Sequence, residues 1–104
     1  MKKKLVYLIQ SLDSGKYKIG TSKNPDKRVK QLQTGNGEEL KLIHMFESNY
    51  PTKLEKALHN QFSYLKTIGE WYNLSLEDEC DFIKNCEKIE NNLNTLVKYN
   101  NNFI

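Results

Sequence analysis

The sequence predicts an α+β domain: a small three-stranded antiparallel sheet flanked by helices, ordered ββαβα and followed by a long C-terminal helix. Three observations carry this. Residues 4–10 and 17–21 are rich in β-branched and aromatic side chains and flank a turn-forming Asp13-Ser14-Gly15, which predicts a hairpin. Proline marks two helix starts, at Asn24-Pro25 and at Pro51, with an apolar run at 40–46 between them. From Leu76 onward, apolar residues recur at helical spacing to Val97.

Each element has a local cause. Asn24 is placed as the N-cap of the first helix, Pro25 at its first position and Asp26 in its first turn. Val29 and Leu32 supply its apolar face, and Gly35 stops it after Thr34. In the third strand, alternation puts Leu42, His44 and Phe46 on one face and Lys41, Ile43 and Met45 on the other. Apolar residues on both faces predict a central strand. The second helix carries a stripe of Leu54, Ala57, Leu58 and Phe62, with Glu55 and His59 beside it one turn apart. A break at 67–69 leads to a short extended piece, 70–74, anchored in the core by Trp71. Ser75 caps the last helix, spanning about 75–99, with acidic residues in its first turn. Residues 100–104 are expected to fray.

At 104 residues the chain is one domain, with a motif core at 5–74 and no internal repeat or linker. Its net charge of +3 is mild, but residues 1–30 hold nine Lys/Arg against two Asp, and residues 75–90 hold six acids against two lysines. A basic N-terminal half suits a polyanionic partner, although a solvated lysine-rich surface would read the same way. Cys80 and Cys86 would stand about 9 Å apart along a helix, too far for a disulfide, and read as reduced, half-buried packing residues. The apolar run near the start is interrupted by Gln10 and Ser11, and no stretch approaches a membrane span. A cytoplasmic protein with no membrane partner is expected.

The chemistry gathers around the hairpin and the helix after it. Tyr7, Lys18 and Arg28 bring a phenol, an amine and a guanidinium to one surface, a set suited to a phosphodiester. The planar fork of Arg28 can grip two phosphate oxygens, which lysine cannot copy. Glu55 offers a hard oxygen ligand, and Mg²⁺ with one protein carboxylate is chemically reasonable because it keeps several waters. Lys18, beside Arg28 and partly buried, could act as a base or donate to the phosphate. Thr21, Lys23 and Lys30 are further candidate substrate contacts, and Tyr17, His59, Glu70 and Asn73 are candidates to support the site. Each has an ordinary use as well. Tyr7 could pack across the sheet, Lys18 and Arg28 could be surface charges, and Glu55 with His59 could be a plain i,i+4 pair. A zinc site lacks further ligands, since His44 is the only other histidine.

Leu5-Val6-Tyr7, Lys18-Ile19-Gly20, Arg28, the stretch Leu32-Gln33-Thr34-Gly35, Glu55 with Leu58-His59, and Gly69-Glu70-Trp71 form an ordered set. This set resembles the GIY-YIG nuclease superfamily, most closely its T5orf172 branch. The resemblance implies a metal-dependent DNA endonuclease with a single one-metal site, using Mg²⁺ or, as a substitute, Mn²⁺. It implies that Tyr7 assists deprotonation of the attacking water, Arg28 holds the scissile phosphate and Glu55 is the sole metal-binding carboxylate. The chain departs from the pattern at Lys18, where the second motif usually has tyrosine, and this leaves open whether Lys18 or Tyr7 moves the proton. Tyr17 is adjacent, but neighbouring strand residues face opposite ways, so it could substitute only through a bulge or register slip.

The main alternative is a module of the same fold that binds DNA or RNA without cutting. A third reading is an interaction protein whose acidic last helix docks a partner. The chain holds no helix-turn-helix or zinc finger, so sequence preference would have to come from loops, a homodimer or a separate targeting protein.

Overall fold

The computed structural model describes residues 3–35 and 37–99. Strands β1 (Leu5–Ser11) and β2 (Tyr17–Ser22) form the predicted hairpin, followed by helix α1 (Pro25–Thr34), strand β3 (Leu40–Glu47) and helix α2 (Pro51–Gln61). A single 3₁₀ turn at Ser63–Leu65 precedes helices α3 (Leu76–Cys80) and α4 (Phe82–Tyr99). The hairpin closes through Ser11 N–H to Lys16 O at 2.9 Å and Gly15 N–H to Ser11 O at 2.8 Å, with Gly15 at φ +77. A positive φ there is the reason glycine suits the position. Asn24 caps α1 by accepting from Lys27 N–H at 3.2 Å. Gly35, at φ −93, closes that helix by donating its N–H to Gln33 O. The side chain of Gln33 bridges the helix end to β3, donating to Glu38 O and accepting from Leu40 N–H, both at 2.7 Å.

The sheet order is β2-β1-β3, all antiparallel. The third strand is therefore an edge, and β1 is the central strand. The expectation of a central β3 fails because its alternation is broken. The register shifts between Leu8, opposite His44, and Ile9, opposite Leu42, leaving Ile43 as the extra residue of a β-bulge. Beyond the bulge the faces exchange. Ile43 and Phe46 pack with the α2/α4 side, while Leu42 packs with the α1 side. Two apolar faces on one edge strand thus arise from a kink.

Two cores result. On one face Val6, Leu8, Tyr17 and Ile19 pack with Leu54, Leu58, Phe82 and Cys86 from α2 and α4. On the other, Tyr7, Ile9 and Leu40 pack with Val29, Leu32, Leu42 and Trp71. Burial of such side chains supplies most of the stabilisation.

The expected single C-terminal helix is interrupted at Asp81, at φ −91 and ψ 3. In a continuous helix the carbonyl of Glu79 would accept from the amide four residues on. Here it accepts from His44 Nε2 at 2.9 Å and from the Asp81 N–H, and His44 stacks on Phe82 with ring centroids 5.9 Å apart. The Tyr17 hydroxyl donates to Glu79 Oε1 at 2.6 Å, so the short α3 is held to the sheet twice. Ser75 and Asp78 complete a capping box at its start. Leu93 is buried, but Leu76 and Leu96, placed in the apolar stripe by spacing, are exposed. The two cysteines also differ from the half-buried expectation. Cys80 is exposed and Cys86 fully buried, and burial pushes the Cys86 thiol up to about 12. The tail predicted to fray lies outside the described residues.

Glu90 of α4 ties down the loop that launches α2. Its carboxylate accepts from Ser48 Oγ at 2.7 Å and from Asn49 N–H at 2.8 Å, while Ser48 Oγ accepts from Tyr50 N–H at 2.9 Å. Tyr50 itself gives α2 no side-chain cap, so this borrowed carboxylate fixes where the helix begins.

Burial, then the Glu79 carboxylate, raises the Tyr17 phenol above its ordinary value of 10.0. Its contribution to stability is complete below pH 10 and declines above it, as the unfolded chain ionises while the folded chain does not. Tyr17→Phe should lower stability by about 1–2 kcal/mol at neutral pH. It should also make the loss of stability above pH 10 shallower in denaturant titrations. An unchanged alkaline slope would show that this bond does not carry the effect.

Candidate active site

The alternation of β1 and β2 sets the site. Tyr7 stands opposite Gly20 in the hairpin register, and Lys18 shares the face of Gly20, because strand side chains two apart point the same way. The Tyr7 ring lies directly over Gly20. A Cβ on Gly20 would stand 2.3 Å from the Tyr7 hydroxyl oxygen and 2.5 Å from Cζ. Only glycine leaves room for the phenol to cross the strand. Tyr17, one residue from Lys18, points into the opposite core and is bonded to Glu79, so no bulge or slip brings it to this face.

Beside this crossing lies a cleft of about 340 Å³ lined by residues that include Tyr7, Lys18, Gly20, Thr21, Arg28 and Glu55. It draws on β1, β2, α1, α2 and the 66–72 segment. Arg28, on the exposed surface of α1, makes no ion pair among the described residues. Glu55 is about three-quarters buried, and its Oε2 lies 3.8 Å from His59 Nε2. That nitrogen is 2.9 Å from Ile19 O, and since a carbonyl can only accept, Nε2 carries the proton. His59 thereby ties α2 to the outer edge of β2 and holds the neighbouring Glu55 over the cleft. Its ring stacks on Tyr72 with centroids 5.7 Å apart.

The 66–72 segment completes the wall. Tyr72 exchanges two backbone hydrogen bonds with Tyr17, at 2.9 and 2.7 Å, so it extends β2 outward. Glu70, two residues earlier, forms an ion pair with Lys18. Lys18 first, then the charges of His59 and Lys66, hold the Glu70 carboxyl below its ordinary value. Burial, then Glu70 and Glu55, push the Tyr72 phenol up.

Of the residues singled out by sequence, Tyr7, Lys18, Thr21, Arg28, Glu55, His59 and Glu70 line this cleft. Lys23 and Lys30 are exposed and are not part of its wall, and Asn73 is exposed, with its backbone N–H on Leu65 O at 2.8 Å. Lys66 and Tyr72 also line it and were not singled out. The signal for Tyr72 was present: in an extended piece, Glu70 and Tyr72 share a face that Trp71 does not. Among the described residues no three His, Cys, Asp or Glu side chains group as metal ligands.

A family model, the T5orf172 domain, matches residues 4–87. The chain belongs to the T5orf172 family. That match spans both strands of the hairpin, α1, α2 and the 66–72 segment, so every residue lining the cleft falls within the T5orf172 domain. The family is associated with nuclease-like or DNA-binding modules, in keeping with a nucleic acid as partner. No curated protein matches the chain, and no solved structure matches it. No helix among the described residues is long and apolar enough to cross a membrane.

The crossing of Tyr7 over Gly20 gives a direct test. Gly20→Ala should cost about 1–3 kcal/mol through overpacking. In a Tyr7→Ala background the same substitution should cost almost nothing, because the atoms it meets are gone. Equal costs in both backgrounds, measured by denaturant unfolding, would refute the close approach.

Proposed function

We propose that the T5orf172 domain described here is a metal-dependent DNA endonuclease, hydrolysing phosphodiester bonds at a single one-metal site. The observation that supports this best is the meeting of Tyr7, Lys18, Arg28 and Glu55 in one cleft from four separate elements. A surface that only bound phosphate would have no use for a carboxylate placed beside the cations, since it would repel the ligand. A surface that cuts phosphate does, because a hard cation needs an oxygen ligand there.

Glu55 is the residue that would hold Mg²⁺, with Mn²⁺ as a substitute. One carboxylate suits a cation that keeps most of its waters and takes other ligands from substrate. Bound there, the ion would supply charge neutralisation and polarisation of the phosphate. The remaining work falls to the chain. Arg28 is exposed and makes no ion pair among the described residues, so its fork can take two non-bridging oxygens as DNA docks against α1. Tyr7, whose hydroxyl lies across Gly20, would accept or relay the proton of the attacking water. Lys18 has a carboxylate partner in Glu70, which favours its use as a charged donor to phosphate over use as a base. His59 donates to Ile19 O and so positions Glu55 rather than reacting.

The test is nicking of supercoiled plasmid with Mg²⁺ or Mn²⁺ against EDTA. We expect metal-dependent nicking by the wild type and a loss of about 10²–10³-fold in Arg28→Ala. Arg28→Lys should recover little of it, because an ammonium cannot grip two oxygens. Absence of cutting by folded protein that still binds DNA in a salt-sensitive way would favour the non-cutting binding module.

A further inference from the structure

The Lys18–Glu70 pair is lopsided. The Lys18 side chain is 13% exposed and lies inside the cleft, whereas that of Glu70 is 79% exposed and covers it from the solvent side. Glu70 sits on a tight turn closed by Thr67, whose N–H and hydroxyl both donate to Trp71 O, at 2.8 and 3.0 Å. Gly69, at φ +71, makes the bend immediately before it. A carboxylate thus reaches into the cleft on a short arm and takes up the enclosed Lys18 ammonium there.

We propose that Lys18 is a second phosphate-gripping group beside Arg28, occupied in the free protein by Glu70, and that an entering nucleic-acid phosphate takes the place of Glu70 on it. This rests on the reading of the cleft as a phosphodiester site and assigns how substrate enters it. The exchange replaces one anion by another, so the enclosed ammonium is never left without a counter-charge, which would be costly. Because Glu70 is largely in water, its pair with Lys18 is weak and easily given up. Lys66, on the same segment and close enough to act on the Glu70 carboxylate, offers the displaced group another cation. Arg28 needs no such exchange. The first phosphate contact therefore falls to Arg28, and the contact at Lys18 forms only for a substrate that displaces Glu70.

The experiment is fluorescence anisotropy of a labelled short DNA duplex in EDTA, where nothing is cut. The proteins are the wild type, Glu70→Gln, Lys18→Gln, the double variant, and Glu87→Gln on the exposed surface of α4 as a control for net charge. Glu70→Gln should bind about two- to fivefold tighter, the range expected for releasing an exposed ion pair. That gain should vanish in the Lys18→Gln background and be absent in Glu87→Gln. Equal or weaker binding by Glu70→Gln overturns the inference, as does a gain that persists without Lys18 or is matched by Glu87→Gln. Each of these results, seen with a wild type that binds DNA, leaves the phosphodiester reading standing. A folded wild type that does not bind the duplex at low salt overturns the phosphodiester reading and the inference together.

Discussion

The phenol of Tyr7 lies across β2 at Gly20, where a Cβ would stand 2.3 Å from its oxygen. Without that gap the ring would have to swing away from the hairpin, and the cleft would lose its floor. The hairpin register makes the crossing possible by setting Tyr7 opposite Gly20, and the same alternation turns Lys18 toward Tyr7 and Tyr17 away from it. One glycine in an edge strand therefore lets the Tyr7 phenol reach the cleft.

The outer edge of β2 is the second constraint. An open strand edge invites unwanted pairing, and this one is covered by two partners distant in sequence. Tyr72 pairs with the backbone of Tyr17, and His59 donates to Ile19 O. Covering the edge and assembling the site are the same act. Tyr72 brings Glu70 to Lys18, and His59 brings Glu55 to the rim. Glu90 contributes from a distance by fixing the loop from which α2 starts. Nucleic acid would meet a cleft whose walls are already set, with Arg28 exposed at the entrance.

Much of this was legible in the sequence, for local reasons. Asn24-Pro25, Pro51 and Ser75 are start signals that act within a few residues, and the helices begin where they predict. The hairpin follows from its turn, and Glu55 with His59 from helical spacing. What could not be read depends on long-range partners. The bulge at Ile43 has no mark in a run that alternates well, so the faces of β3 and its place in the sheet were misjudged. At the break at Asp81, His44, 35 residues away, takes a carbonyl that periodicity assigns to the helix itself. At the site, the residue set around Tyr7, Arg28 and Glu55 was legible as an ordered motif. The Glu70–Lys18 pair was not, because only the fold brings residues 18 and 70 together.

Binding and cutting by Glu55→Gln on one labelled duplex decide most directly whether the cleft cuts DNA as well as holding it. The account predicts that the variant binds at least as tightly as the wild type, having lost a negative charge, and that it leaves the duplex intact at saturating protein with Mg²⁺ while the wild type cuts it. A wild type that binds the duplex and cuts it no faster than Glu55→Gln would contradict the account.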